Sequence, residues 1–364
     1  MDRHTFELGD KKHVFVDWDL IEPGYGLVMR DNKPSNWEVP YGVKLTVHRP
    51  RIDQIPIVGT ENPWEGILLN YTTIFQDEGL YRLYYTCTAR GNGGKGWISN
   101  LAYAESTDGV NWIKPRIGTV SFDGSKDNNL VYKGHASSVF KDPSAPSDER
   151  YKLVDLVGNN IGEDGISCLV GAVSPDGLSW KTLDTPILVD YASDTQTVIY
   201  FNQEKQRYIG YFRGISYRDV GQKWYGRWHG RRVIAYAETD RFDSWPVPEQ
   251  FFGPDVHDGP NTDIYTNAYS PWPDADAHLM FPAFFHHGVD TLDVHIMTSR
   301  DGFHWQRPLR DPIVPAGEPG SGMEGSNYAG NGIVSIKPGE WSIPIASWSS
   351  CNLTIQVSGL PITK

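Results

Sequence analysis

Apolar positions in this chain fall in short runs separated by polar, glycine- and proline-bearing turns, and the runs recur. Residues 81–86 (YRLYYT), 151–157 (YKLVDLV), 208–213 (YIGYFR), 278–285 (HLMFPAFF) and 341–347 (WSIPIAS) begin 57 to 70 positions apart. Each is aromatic or β-branched over a length that suits a strand. Ahead of them lie strand-like runs at 67–75, 135–140, 195–201, 263–269 and 325–334. The paired runs are joined by QDEG, DPSAPSDE, NQEKQ, PWPDADA and KPGE, all turn-forming. A third run follows in four of the units (LAYAE, LVGAV, VIAYAE, VHIMT). It leads into near-identical segments: STDGVNW from Ser106, SPDGLSW from Ser174, TDRFDSW from Thr239 and SRDGFHW from Ser299, spaced 68, 65 and 60 residues apart.

The unit therefore reads strand, turn, strand, loop, strand, DGxxW turn, strand. Such a unit cannot bury both faces alone and stacks on its neighbours. Five of them predict an all-β fold, a five-bladed β-propeller, in which radial stacking protects most strand edges. The fifth unit has a third strand at 353–357 and then nearly exhausts the chain. Its missing outer strand is expected from the N-terminal region, around 12–16 or 25–29, so that strands from the two ends close the ring. The expectation is one domain over 1–364, with 1–60 an N-terminal extension that includes the closure strand. In the DGxxW turns Asp and Gly favour a tight reversal, and Trp offers a large face to pack between sheets. Calcium binding is the alternative, but the oxygen spacing of a calcium loop is missing.

Composition narrows the class. An apolar content of 39%, with 13% aromatic residues, supports an extended packed core and argues against disorder. The formal charge of −12 repels phosphates, and the densest basic cluster, Arg227, Arg231 and Arg232, is too short to make a nucleic-acid surface. No apolar run is long enough to span a bilayer, so no membrane partner is expected. Cys87, Cys168 and Cys351 lack CxxC spacing. No metal site is expected, because His135, His257, His286 and His287 show no paired ligand spacing. RGNGGKGW, from Arg90 to Trp97, fails the nucleotide fingerprints, so no organic cofactor is implied. The chain as given lacks a secretory segment and reads as cytoplasmic, or as periplasmic or secreted where a leader has been removed.

With the AYAESTDGVNW and IMTSRDGFHW segments, and the acidic residues ahead of each blade's inner strand, the chain resembles the five-bladed propeller glycosidases of the glycoside hydrolase family 32 or 43 type. The resemblance covers about residues 63–349. It implies that acids gather at one axial end, on or near each first strand. Carried onto this chain, that rule selects Glu65, His135, Asp194, Asp263 and Glu324. The first candidate stands in PWEG, a Glu where those families usually place Asp.

Glycosidic cleavage needs a proton donor for the departing oxygen and a second carboxylate that activates water or attacks carbon. Glu65, directly before the first long strand, is the expected base or nucleophile, or else a hydrogen-bonding brace. Asp194 either orients the sugar and tunes the acid or is an ordinary strand-end residue. Asp263 or Glu324, the latter in the Gly-rich SGMEGSNYAGNG, supplies the acid. Substrate contacts are expected from Trp64, Tyr71, Arg90, His135, Arg213, His286, Asn327 and Tyr328, through ring faces, guanidinium groups and amides. The reading is a glycoside hydrolase with a carbohydrate substrate. A glycoside phosphorylase and a non-catalytic glycan-binding propeller stay open as alternatives.

Overall fold

The computed structural model describes residues 9–10, 12–17, 46–53, 56–66, 68–91, 96–157, 167–191, 193–216, 230–259, 261–273, 275–349 and 352–361. All the named elements are strands. Among the described residues no helix is long and apolar enough to cross a membrane.

The first repeat is a sheet of Leu68–Asp77, Leu80–Arg90, Trp97–Ser106 and Leu130–Tyr132. The second is built on His135–Lys141, Tyr151–Val157 and Cys168–Ser174, with two short strands on its outer edge. The third comprises Val198–Asn202, Arg207–Ser216, Arg231–Thr239 and Glu249–Phe252. Neighbours within these sheets are antiparallel.

The fourth repeat departs from the expected pattern. The run at 278–285 forms two strands, His278–Met280 and Ala283–His286, which belong to different sheets. Pro282 stands between them and has no N–H to continue the ladder. Its carbonyl accepts from His295 N at 2.9 Å instead. The sheet containing Ala283–His286 joins the fifth repeat through a parallel pairing of Leu292 with Ser326.

The fifth repeat contains Ser326–Ala329, Val334–Lys337, Glu340–Ser349 and Asn352–Pro361. Its outer strand comes from the N-terminal side: Arg51 pairs with Gly359 and Ile52 with Ser358. The two ends of the chain do meet, but not through the segments expected. Lys12 bridges Ala275 in the fourth repeat, and Arg300 donates to Asp17 and to Val14 O, so 12–17 is spent on another repeat. The other expected closure segment, 25–29, lies outside the described residues.

Each repeat is tied to the next in a closed chain of hydrogen bonds. Asn331 O accepts from Ile74 N at 2.9 Å, and Asn331 N donates to Thr72 O at 2.9 Å, linking fifth to first. Val139 N reaches Thr73 Oγ1 at 3.4 Å, and Ser138 Oγ donates to Thr197 O at 2.5 Å. Asn267 Nδ2 donates to Tyr211 O at 3.2 Å, and Gly332 N to Ser270 Oγ at 2.8 Å. Gln196 Nε2, wholly enclosed, spans three repeats by donating to Ser137 O at 2.8 Å and Tyr71 O at 3.2 Å. This is the all-β propeller that the periodicity predicts.

The DGxxW turns serve the seams between repeats. Asp108, Asp176 and Asp301 each accept two backbone N–H bonds on Oδ1 within their own turn, so that oxygen is already used. Gly109, Gly177 and Gly302 have φ of 73°, 77° and 73°, where a side chain is strained. A Cβ on Gly177 would stand 2.5 Å from Tyr84 Oη in the first repeat, and one on Gly302 3.0 Å from Tyr211 Oη in the third. Each of these turns packs against the preceding repeat. Between the repeats lie layers of buried rings and aliphatics, such as Phe212 with Phe140 and Trp245. Each fully buried ring of this kind stabilises by about 1.5–3 kcal/mol.

Candidate active site

Two irregularities in the first strands set up the site. The ladder slips between Asn70 and Thr73, where Tyr71 has φ 46°, and between His135 and Ser138, where Ala136 has φ 63°. Bulges of this kind re-aim side chains. Here they bring Tyr71 and His135 edge to face, with ring centroids 5.8 Å apart. The second bulge is braced from behind by Asp155, whose carboxyl group accepts from Ser137 Oγ at 2.7 Å. Burial pushes the Asp155 carboxyl up to about 8, against hydrogen bonds from Ser137 and backbone N–H groups that pull it down.

Tyr71 Oη donates to the carbonyl of Asp194 at 3.2 Å. The Asp194 carboxylate is paired with the guanidinium of Arg213, whose side chain is 1% exposed, whereas that of Asp194 is 23% exposed. Arg213 also donates to Tyr265 O at 2.5 Å and lies over the Tyr265 ring at 4.2 Å. Tyr265 meets Tyr328 at 5.7 Å, and Tyr328 returns to Tyr71 at 6.2 Å. Tyr71, His135, Asp194 with Arg213, Tyr265 and Tyr328 thus come from five successive repeats and form one contiguous group.

A further layer adjoins it. Arg232 lies over the Tyr265 ring at 5.0 Å and donates to Asp263 Oδ2 at 2.8 Å. His287 Nε2 is 2.9 Å from the same oxygen. Asp263 is 2% exposed, while Arg232 and His287 keep 19% of their side chains open. Burial raises the Tyr71 and Tyr328 hydroxyls well above their ordinary range and lowers the His135 imidazole. The two phenols are therefore neutral hydrogen-bonding groups at neutral pH. Desolvation also lowers Arg213, and its tyrosine neighbours oppose that. What a ligand can meet is the partly open carboxylate of Asp194, the half-buried His135 imidazole and, in the adjoining layer, the partly open Arg232 guanidinium, with Arg213 enclosed beneath them. That set can accept a proton from water, attack an electrophilic carbon and hydrogen-bond a polyhydroxylated molecule.

The other expected site residues stand elsewhere. Glu65 is completely enclosed inside the first repeat. It accepts from Glu61 N at 2.9 Å, Asn62 N at 2.8 Å, Asn62 Nδ2 at 3.0 Å and Tyr85 Oη at 2.8 Å. Lys114 Nζ lies 2.5 Å from its other oxygen. Beside it, Trp64 donates to Asn129 Oδ1 at 2.7 Å and lines a pocket of about 520 Å³ with Trp112 and Lys114. Glu324 accepts from Gly320 N at 3.4 Å, and N–H groups of its own loop hold its carboxyl below the ordinary range. Asn327 braces that loop, donating to Met323 O at 3.1 Å. Arg90 lies over Trp97 at 5.0 Å, on paired strands of the first repeat. His286 Nε2 faces Asp293 Oδ2 at 3.0 Å.

Sequence reasoning passed over Tyr265, Arg232 and Asp155. Tyr265 lies two positions beyond Asp263, and Arg232 belongs to the basic cluster weighed only for nucleic acid. Asp155 left a legible signal, a single acid inside the apolar run YKLVDLV.

No protein-family model and no curated protein matches this chain. Solved structures do. A protein described as a glycoside hydrolase superposes with a TM-score of 0.60 at 11% identity, covering 87% of this chain and 93% of the other. An N-acetylgalactosamine deacetylase from F. plautii, solved with blood group B trisaccharide, gives 0.55 at 14% identity, covering 86% and 95%. A structure from work on the GH130 family of mannoside phosphorylases, which contains glycoside hydrolases that target β-1,2 mannosidic linkages in Candida mannan, gives 0.54 at 14% identity, covering 88% and 95%. At such identities the likeness establishes the fold: this chain shares its all-β architecture with proteins described as acting on glycans.

Proposed function

We propose that the protein is a glycoside hydrolase whose active site is the group centred on Asp194. One observation carries the reading: side chains from five successive repeats form one contiguous group, and the Asp194 carboxylate within it is partly open. In the proposed reaction Asp194 is the base that activates water, or the nucleophile that attacks the anomeric carbon. Arg213 is its positioning residue. The acid side of the reaction is the partly open His287, held on Asp263 together with Arg232, which hands a proton to the departing glycosidic oxygen. Water then supplies hydroxyl to the anomeric carbon and a proton to the base. Tyr71, Tyr265 and Tyr328 offer ring faces and hydroxyls to the sugar. Developing positive charge on the sugar is favoured beside a carboxylate.

A glycoside phosphorylase is the second reading. The partly open Arg232 and His287 favour it, because both suit a phosphate acceptor.

A panel of oligosaccharides, with and without inorganic phosphate and read by product mass, tests both. Products heavier by one water without phosphate support hydrolysis, and sugar phosphate moves the assignment to phosphorolysis. Asp194→Asn, checked for folding by near-UV circular dichroism, is expected to lower turnover by about 10²–10⁴. Unchanged turnover in that variant removes Asp194 from the chemistry. Glycan binding without turnover across the panel points to a carbohydrate-binding propeller.

A further inference from the structure

We propose that His286, Asp293 and His295 form a binding site for a divalent transition-metal ion of the zinc type, at the edge of the fourth repeat. The strands Ala283–His286 and Thr291–Val294 are antiparallel, with Phe284 opposite Asp293 and His286 opposite Thr291. Alternation along the strands puts Phe284, His286 and Asp293 on one face. His295, just past the strand end, falls on the same side.

Both imidazoles turn Nε2 to the one carboxylate: His286 Nε2 to Asp293 Oδ2 at 3.0 Å, and His295 Nε2 to Asp293 Oδ1 at 2.9 Å. The ligand atoms all lie within 4.8 Å of one another. Zinc bonds of about 2.0–2.2 Å place neighbouring donors about 2.9–3.4 Å apart at octahedral or tetrahedral angles. The two His–Asp separations fall at the near end of that span, each on a different oxygen of the carboxylate.

Three further features favour an ion over a simple hydrogen-bonded trio. Asp194, Asp258 and Asp263 are each paired with an arginine, whereas among the described residues Asp293 has only the two histidines as ion-pair partners. The His295 ring is 5% exposed and stacked on Phe284 at 4.1 Å, so its position is set before any ion arrives. The His286 side chain is 33% exposed, which leaves an entry path and room for water to complete the coordination.

Two nitrogens and one oxygen select zinc and its first-row neighbours over calcium and magnesium, which take oxygen. His295 Nδ1 is enclosed without a protein partner. Metal on Nε2 moves the ring proton there, where no protein acceptor meets it, so weaker binding than at a zinc site with a supported imidazole is expected. An ion here ties the two strands together one residue from His287, which bonds Asp263. The inference does not depend on the glycosidase reading.

The full chain is stripped with chelator and titrated calorimetrically with zinc chloride, then with magnesium and calcium chloride. One equivalent of zinc is expected, with neither of the other ions competing. Zinc at a hundredfold excess over its dissociation constant is expected to raise the unfolding midpoint by about 3 °C. His286→Gln, at a partly open position that tolerates change, and Asp293→Asn are each expected to weaken zinc binding at least tenfold. Failure of the folded wild-type chain to take up one equivalent overturns the proposal. So does uptake that both variants leave unaltered, because the ion is then held elsewhere.

Discussion

Replacing Glu65 by Gln separates a brace from a catalyst. One carboxylate oxygen accepts three donors from 61–62, and the other meets Tyr85 Oη and Lys114 Nζ. Gln keeps an oxygen for the first group and turns an NH₂ toward the second, where two donors already point. The lost charge-assisted bond costs about 1.5–3 kcal/mol, and the disturbed tyrosine bond about 1 kcal/mol more. Lys114 is not stranded, because it still reaches Glu61 Oε2 at 2.7 Å and Gly59 O at 2.8 Å. The total is therefore about 3 kcal/mol, below the penalty for a fully isolated buried charge. With roughly 2.1 cal/mol/K of unfolding entropy per residue over 364 residues, that lowers the midpoint by about 4 °C. Tryptophan fluorescence during heating, at a fixed scan rate, reads the shift. On the brace reading, turnover per folded molecule changes little. A midpoint within about 1 °C of wild type, together with lost turnover, would refute this reasoning and return Glu65 to the chemistry.

Other outcomes follow from buried charge and tight backbone. With its carboxyl raised to about 8, Asp155 keeps its proton in the folded chain after the unfolded chain has released its own. Stability from this group is therefore fully present below about pH 4 and is lost as pH rises toward 8, at up to roughly 1.4 kcal/mol per unit. Asp155→Asn is expected to flatten that decline, so the variant gains on wild type from pH 5 to 8; parallel midpoint profiles would contradict the assignment. Gly332 and Gly339 both have positive φ, but a Cβ at Gly332 would stand 1.8 Å from Ile74 O, while Gly339 faces open space. Gly339→Ala is expected to cost about 1–2 kcal/mol from backbone strain alone. Gly332→Ala is expected to cost clearly more, and equal denaturation midpoints for the two variants would show that the seam there is loose.

Much of the fold is legible as periodicity. Paired strands, their turns and the DGxxW reversals depend on residues adjacent in sequence, and the structure places them close to the expected positions. Exceptions arise where one residue breaks a ladder or a distant segment competes. Pro282 divides a run that looks continuous. Segment 12–17 carries strand-like residues, yet Arg300 and Asp276 claim it for the fourth repeat. Closure then falls to Arg51–Ile52, a stretch with no strand signature of its own.

The candidate site was only partly visible. His135, Asp194 and Asp263 stand out as polar residues ahead of inner strands, and they do lie in or beside the converging group. Tyr71 and Tyr328 read equally well as core or contact. The equivalent positions at Glu65 and Glu324 look alike in sequence, but Glu65 is saturated by donors of its own repeat and Glu324 accepts from N–H groups of its own loop. His286, Asp293 and His295 show no ligand spacing along the chain, because β pairing sets them side by side across two strands.

The sequence by itself determined the strand class, the repeat and the seams, since hydrophobic alternation and turn chemistry act over a few residues. Tertiary structure alone decided which polar side chains meet, because that depends on bulge position, ladder register and competition among loops for the same carboxylates. Those are long-range choices, settled by the cost of leaving a buried charge or N–H without a partner.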